Sequence, residues 1–149
     1  MNGVSFAYGE KEVLHKVTFR PALKGMTAIV GPSGGGKSTI AKLLAGFYDP
    51  TEGEILYGGI NLKNIPFSQL MEEISFVSQD NYLFDMSIME NIRIGRSDAT
   101  DEEVIEVAKL SGCHDFIMKL ENGYATKVGD VGKFLSGGER QRITIARAM

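Results

Sequence analysis

The segment Gly31-Pro32-Ser33-Gly34-Gly35-Gly36-Lys37-Ser38 fits the pattern G-x-x-x-x-G-K-[ST]. Residues 26–30, just before it, form a short apolar and partly β-branched run, which predicts a buried parallel strand. The residues after it are apolar at the spacing of one helix face, at Ile40, Leu43, Leu44 and Phe47. A strand, a glycine-rich turn and a helix, in this order, are the context in which the pattern binds phosphate.

The chemistry of this loop follows from its glycines and its lysine. Glycine lets the backbone bend so that successive N–H groups point at phosphate oxygens, and the next helix adds its positive N-terminal end. We therefore predict that Lys37 reaches the β- and γ-phosphates of a nucleotide and that the Ser38 hydroxyl is a ligand of Mg²⁺. The other residues expected to bind the nucleotide here are Gly31, Ser33, Gly34, Gly35, Gly36 and Thr39.

The composition is that of an ordinary globular domain. The 149 residues are 43% hydrophobic and 23% charged with a net charge of −3, so nothing favours a nucleic-acid partner or a basic membrane anchor. The single cysteine, Cys113, excludes an internal disulfide, favours a reducing cytosolic compartment and is interpreted as a packing residue. No stretch approaches the roughly 18 apolar residues of a membrane-spanning helix, so we expect any membrane role to come through a partner.

The first half of the chain is rich in predicted strands. Alternating residues give an opening strand one apolar face, formed by Val4, Phe6 and Tyr8. Residues 54–57 and 74–77 have the composition of further strands. Residues 66–73 predict a short helix whose inward side chains are Phe67, Leu70 and Met71.

The second half predicts helices with defined starts. Ser87 with Glu90, and Thr100 with Glu103, have the spacing of capping boxes. A third box, Ser136 with Glu139, lies in the segment Leu135-Ser136-Gly137-Gly138-Glu139-Arg140-Gln141 and opens another helix. Its two glycines each cost up to about 1 kcal/mol against alanine in a helix. A bare backbone that approaches an anion closely explains them.

With both glycine motifs in view, the chain resembles the ATP-binding domain of ABC transporters, in which LSGGE-Q is the family signature and the phosphate loop is the Walker A motif. The resemblance implies an α/β fold of the P-loop NTPase (RecA-like) type, with an N-terminal antiparallel β subdomain, a helical signature subdomain and the C-terminal part missing. It divides the chain into the β subdomain and Walker A core at 1–78, the Q-loop and helical subdomain at 79–134, and the signature with the start of its helix at 135–149.

The resemblance also implies how a complete site is assembled. Two such domains pair head to tail, so that each ATP lies between the Walker A loop of one and the signature of the other. The signature residues then bind ATP in trans, at Ser136, Gly137, Gly138 and Glu139. The other implied partner is the set of transmembrane domains of an exporter, which would place the domain at the cytoplasmic face of the cell membrane.

Two further site residues come from the resemblance. Gln79 corresponds to the Q-loop glutamine that touches Mg²⁺ and couples to the membrane domains, and it joins Lys37 as a predicted catalytic residue. Tyr8 corresponds to the aromatic residue that stacks on adenine, although an ordinary strand aromatic is the alternative.

Three segments resemble the exporter branch of the family, namely residues 81–84, 87–91 and 126–130. The last is the loop before the signature that meets the membrane domains. It departs from the family pattern at Asp130, where glutamate is usual, and the chain is also atypical at Val131 and Lys133.

The resemblance places Met149 inside the helix after the signature. On that basis we expect the Walker B strand with its Mg²⁺-binding aspartate, the catalytic glutamate and the switch histidine to be absent. The isolated residues would then bind ATP at most, with little or no ATPase activity.

Other functions are less compatible with the motifs. A small GTPase needs an N-K-x-D string, which is absent, and nucleoside kinases lack LSGGE. An ABC-type ATPase that acts on DNA or ribosomes usually carries long insertions, and none lies between Gln79 and Leu135. A degenerate-site module that binds ATP and regulates a partner stays open, as does the identity of the transported substrate.

Overall fold

The computed structural model describes residues 1–22, 24–131 and 135–149, and the chain forms two compact units. Unit 1 is Met1–Ile74 and unit 2 is Ser75–Met149. Lys133 lies outside the described residues, as do the side chains of Asp130 and Val131.

Unit 1 is built on a small antiparallel sheet. Strands β1 (Asn2–Tyr8) and β2 (Lys11–Val17) form a hairpin, and β3 (Glu52–Glu54) pairs with the other edge of β1. The hairpin turn contains Gly9 at φ +61°, a left-handed conformation that glycine adopts without strain. A second hairpin joins β4 (Leu56–Tyr57) to β5 (Ile60–Asn61).

Two α-helices complete unit 1 in its described part, α1 (Lys37–Leu44) and α2 (Phe67–Glu73). The apolar face of β1 and β2 packs against α1 in one hydrophobic cluster, whose buried members are Met1, Val4, Phe6, Leu14, Ile40, Leu43 and Ile55. The predicted opening strand is therefore confirmed, as is a helix after the glycine loop, but α1 ends at Leu44, so the predicted face does not extend to Phe47, which is exposed. The burial of β1 and α1 places the loop between a sheet and the start of a packed helix.

Two of the predicted strands are wrong. Residues 26–30 form no strand, and Met26 and Val30 are 94% and 87% exposed. Residues 74–77 also lack strand structure. A β-branched apolar run provides propensity, but a strand exists only when a neighbour supplies the ladder of hydrogen bonds. The described strands pair only with one another, and none of them pairs with either run.

The remaining predictions for unit 1 are confirmed in part. The strand predicted at 54–57 is split between β3 and β4, with Ile55 buried between them. Leu70 is buried on α2 as predicted, but Phe67 is 54% exposed and stands beside Phe47. A helix period indicates which residues share a face, and tertiary packing decides how much of that face is covered.

Unit 2 is helical in its described part. Its α-helices are α3 (Ile88–Arg93), α4 (Asp101–Leu110), α5 (His114–Ile117), α6 (Val128–Val131) and α7 (Gly137–Ala148). Their apolar faces share one core, which includes Ile88, Ile92, Val104, Ala108, Ile143 and Ala146. Cys113 is fully buried in the same core, which confirms its interpretation as a packing residue. No helix among the described residues has the length and apolar character needed to cross a membrane.

The helix starts of unit 2 follow the predicted caps with one exception. Complete capping boxes begin α4 and α7, as predicted at Thr100 and Ser136. At α3 the Ser87 hydroxyl accepts a hydrogen bond from the Glu90 N–H, which is half of the predicted box. The Glu90 carboxylate pairs with the Arg93 guanidinium instead, because an opposite charge one turn along the helix competes for it.

Gly95 tests the packing of α3 against α7. A Cβ atom at Gly95 would lie 1.8 Å from the backbone oxygen of Arg147, and main chain cannot rotate away from it. We expect Gly95→Ala to lower the free energy of unfolding by at least about 2 kcal/mol through overpacking, measured by urea denaturation. The control is Gly137→Ala, where a Cβ meets nothing within 4 Å and stability should stay equal or rise slightly. Equal stability of the Gly95 variant and the wild type would show that the two helices do not pack this closely.

Candidate nucleotide-binding site

The glycine-rich loop leads directly into α1. Gly34 and Gly36 have φ values of +80° and +79°, and Gly36 is the N-cap of the helix. A Cβ atom on Gly36 would lie 2.6 Å from Leu14 Cδ2, so the sheet packs against the loop at this point. Only glycine combines this backbone with this approach. The first N–H groups of α1, which have no partner within the helix, are thereby placed at the mouth of the loop.

Lys37 is held inside the bend of the loop. Its Nζ atom donates hydrogen bonds to the backbone oxygens of Gly31 and Pro32, at 2.9 and 2.6 Å. The Gly35 N–H closes the same turn by donating to the Pro32 oxygen at 3.2 Å. Two carbonyl oxygens therefore hold the ammonium group against the bend of the loop, which is the segment predicted to cradle phosphate.

The other predicted loop residues differ in exposure. The Ser38 residue is exposed at the start of α1, whereas Thr39 is buried. Ser33 lies in the exposed turn that precedes the helix. An exposed hydroxyl next to Lys37 is available to a metal ion bound with phosphate, which is the role predicted for Ser38.

Tyr8 ends β1 and is 42% exposed. Its ring packs edge-on with Phe6 and Tyr48, with centroid distances of 4.8 and 5.5 Å. Edge contacts of this kind hold an aromatic ring in a defined orientation. The geometry is compatible with both interpretations of Tyr8, a stacking surface for adenine and a strand aromatic.

The start of α7 is the second glycine site, and we call residues 136–138 the signature tip. All three residues are exposed. A Cβ atom on Gly137 would meet nothing within 4 Å, and one on Gly138 would come only within 3.7 Å of Arg142 Nη1. Packing within the described chain therefore does not require glycine at either position. This contrasts with Gly36, where the left-handed φ and the approach of Leu14 both disfavour a side chain.

Glu139 is engaged by the helix start itself. Its Oε2 atom accepts hydrogen bonds from the backbone N–H and the hydroxyl of Ser136, at 2.7 and 2.8 Å. The Ser136 hydroxyl in turn accepts from the Glu139 N–H at 3.2 Å. The backbone hydrogen bond from Ser136 is the main cause that lowers the pKa of Glu139, since it favours the ionised form. The Glu139 carboxylate therefore holds Ser136, the first residue of the signature tip, in place.

Gln79 belongs to unit 2, so its predicted approach to a metal ion at Ser38 in unit 1 stays a prediction. The residue is exposed, and the turn around it is closed by hydrogen bonds to the Asp80 oxygen from the Ser78 hydroxyl and the Tyr82 N–H. The described residues contain no group of three or more His, Cys, Asp or Glu that could hold a metal ion. The metal ligands that the sequence predicts are Ser38, Gln79 and the phosphates of the nucleotide.

The structure brings two of the exporter-like segments together within unit 2. The Ile88 N–H donates to the Thr126 oxygen and the Val128 N–H donates to the Met86 oxygen, each at 3.0 Å. The Gly129 N–H donates to Asp85 Oδ1 at 3.0 Å, and a Cβ on Gly129 would lie 2.2 Å from that oxygen. Sequence reasoning missed Asp85. Its partner Gly129 is 44 residues away. The only local signal is that Asp85 is a short acceptor side chain two residues before Ser87, the N-cap of α3.

Comparisons with known proteins identify the family to which this geometry belongs. The profile described as "ABC transporter" matches residues 14–149. The chain belongs to the ABC transporter family. An uncharacterized ABC transporter ATP-binding protein of Sinorhizobium fredii is 52% identical over 98% of this chain and 25% of its own length. A putative multidrug export ATP-binding/permease protein of Staphylococcus aureus is 48% identical over 97% of this chain and 25% of its own length.

A solved structure supports the same assignment. A bacterial Atm1-family ABC exporter with ATP bound matches with a TM-score of 0.93 and 46% identity, over 99% of this chain and 26% of that one. The predicted ABC ATPase fold of the P-loop NTPase class and the exporter-type ATP-binding domain are therefore confirmed. The chain spans about a quarter of the length of the relatives that it matches.

The lowered pKa of Glu139 predicts how stability depends on pH. The ionised carboxylate stabilises the folded state above its ordinary pKa of 4.5, and this contribution is lost as the pH falls through the lower folded pKa. Glutamine keeps an acceptor for the Ser136 N–H but does not titrate. We expect Glu139→Gln to remove part of the loss of stability between about pH 5 and pH 3, measured by urea denaturation.

A matched control for this prediction is Glu102→Gln, which removes an exposed carboxylate from the first turn of α4. It should leave that part of the pH dependence in place. Parallel curves for the wild type and the Glu139 variant would show that the carboxylate does not hold the start of α7.

Proposed function

We propose that this chain is the part of an ABC exporter that binds ATP with Mg²⁺ and pairs with a second such domain. In this proposal the Walker A loop of one domain holds the triphosphate through Lys37 and through backbone N–H groups of residues 33–39. The signature tip of the partner closes on the γ-phosphate from the other side. Hydrolysis of ATP by the complete protein then powers the export of a substrate across the membrane.

The observation that carries the proposal is the difference between the two glycine sites. At Gly36 the left-handed φ of +79° and the approach of Leu14 both disfavour a side chain, whereas no described residue occupies the space of a Cβ at Gly137 or Gly138. Glycine at the tip is therefore best explained by something that approaches from outside the chain. A phosphate at a helix N-terminus needs such close approach to backbone N–H groups.

The charges support this division of roles. Lys37 and a Mg²⁺ ion ligated by Ser38 would neutralise much of the triphosphate from one side. The signature tip would add N–H groups and the Ser136 hydroxyl, which can turn from Glu139 toward a phosphate oxygen. Neither half-site surrounds the nucleotide alone. Pairing would therefore depend on ATP and end after hydrolysis.

The remaining predicted residues fit into the same scheme. Tyr8 would stack on adenine, and Gln79 would join the metal ion to residues that face the membrane domains. Residues 126–130, which are joined to Asp85 in unit 2, would help to transmit the change caused by ATP binding to the membrane domains. The division at 1–78, 79–134 and 135–149 is part of this proposal, as is a location at the cytoplasmic face of the cell membrane.

Lys37→Ala tests the first half-site. Loss of a charge-assisted contact should cost roughly 1.5–3 kcal/mol, which is about a 10- to 100-fold loss of affinity for Mg-ATP. Equilibrium binding of a fluorescent ATP analogue to the full-length protein measures it. Lys42→Ala, on the same helix but outside the loop, is the control and should leave the affinity unchanged. Unchanged affinity in the Lys37 variant would contradict the assignment of the loop.

Ser136→Ala tests the second half-site. The variant should bind ATP in the unpaired state as tightly as the wild type but pair less readily, because the hydroxyl would contact the nucleotide held by the partner domain. Sedimentation with a non-hydrolysable analogue measures pairing, and Ser97→Ala, at an exposed site, is the control. The substitution also removes a helix cap worth about 1 kcal/mol, so a thermal melt must accompany it. If the Ser136 variant pairs at the same concentration of analogue as the wild type, Ser136 does not contact the nucleotide of the partner domain.

A further inference from the structure

A buried amide organises the segment between Gln79 and α3. Asn91 is fully buried in α3, and its Nδ2 atom donates to the backbone oxygens of Phe84 and Ser87, at 2.9 and 3.0 Å. Its Oδ1 atom accepts from the Phe84 N–H at 2.9 Å. One side chain thus satisfies both main-chain groups of Phe84, as a neighbouring strand would. Residues 84–87 are thereby fixed to α3.

Arg147, in the last turn of α7, forms hydrogen bonds with Asn91 and with the segment that Asn91 holds. Its Nε and Nη2 atoms donate to the backbone oxygen and to Oδ1 of Asn91, at 2.8 and 2.9 Å. Its Nη1 atom donates to the Tyr82 oxygen at 3.1 Å, and the guanidinium lies 5.5 Å from the centroid of the Phe84 ring. Burial lowers the pKa of Arg147, but arginine stays charged at neutral pH, so all these donors are kept.

These contacts join residues 82–87, α3 and α7 into one network. The backbone of Gly95 also lies against that of Arg147, so the helices cannot slide past each other without breaking contacts. Arg147 and the signature tip lie at opposite ends of α7, roughly 16 Å apart at 1.5 Å per residue. A packed helix with a hydrogen-bonded anchor at one end can carry a displacement to its other end.

We infer that Arg147 and Asn91 are positioning residues that couple residues 82–84 to the signature tip. This inference rests on the proposed function, because the tip needs a set orientation only if a nucleotide binds across it. Neither residue contacts the nucleotide. They determine where the tip stands when residues 82–84 move, and a change at either residue alters pairing while the Walker A loop keeps its affinity.

The test uses the full-length protein and measures the concentration of a non-hydrolysable ATP analogue, with Mg²⁺, that gives half-maximal pairing. Arg147→Met keeps the length of the side chain and removes its donors, whereas Arg147→Lys keeps the charge with one donor group. We expect the concentration to rise about tenfold for methionine and about threefold for lysine. Binding of a fluorescent analogue to the unpaired domain should stay within about twofold of the wild type in both variants.

Loss of stability alone is separated by a matched control. Val104→Ala truncates a buried side chain in the core of unit 2 and touches none of the hydrogen bonds of Asn91 or Arg147. If its thermal midpoint equals that of the Arg147 variant, Val104→Ala should keep the half-maximal concentration of the ATP analogue within about twofold of the wild-type value. Adding Asn91→Leu to Arg147→Met should not raise the half-maximal concentration of the ATP analogue any further, because both changes break the same network.

Two outcomes would overturn the inference. One is that both Arg147 variants pair at the same concentration of ATP analogue as the wild type. The other is an equal rise for Val104→Ala, since that would make Arg147 a stabilising residue only. Retention of nucleotide affinity by Lys37→Ala would instead contradict the proposed function, and it is measured independently. If the methionine variant fails to fold, the lysine variant decides between these outcomes.

Discussion

The first turn of an α-helix leaves N–H groups that no carbonyl of the same helix can reach, and both candidate sites of this chain are built on such a turn. At α1 the turn follows the left-handed Gly36, and Lys37 is held over the loop by two carbonyl oxygens. At α7 the Ser136–Glu139 box satisfies part of the turn, and the rest stays open to solvent. One constraint therefore produces two ends that attract anions, one supplied with a cation and the other with backbone donors.

Glycines inside the packed units and glycines at the signature tip have different causes. At Gly95 a Cβ atom would lie 1.8 Å from the backbone oxygen of Arg147, and at Gly36 the backbone has a left-handed φ of +79° with Leu14 close by. At Gly137 and Gly138 no residue in the described part of the chain occupies the space of a Cβ atom. In the first case the free energy of folding accounts for glycine, through close packing of sheet, loop and helices. In the second case the described structure gives no packing reason for glycine, and the proposed binding of a nucleotide phosphate supplies one.

The parts of the site that were predictable are those whose hydrogen bonds are local. The boxes at Thr100 and Ser136 join residues three apart, and the backbone of the glycine loop bends within eight residues. The errors concern groups that choose between distant partners. Residues 26–30 had the composition of a strand, yet no described strand pairs with them. Glu90 had the spacing of a box, yet its carboxylate pairs with Arg93.

The glycine loop, the signature and the starts of α4 and α7 could be predicted from the sequence, because the residues that form each of them lie within about two helical turns. The family follows from the two glycine motifs. Folding alone brings Asp85 to Gly129, 44 residues away, and Asn91 to Arg147, 56 residues away. A polar side chain has many possible partners in an unfolded chain. Burial removes water as a competitor, and the packing of the helices then selects the partner that stays within reach.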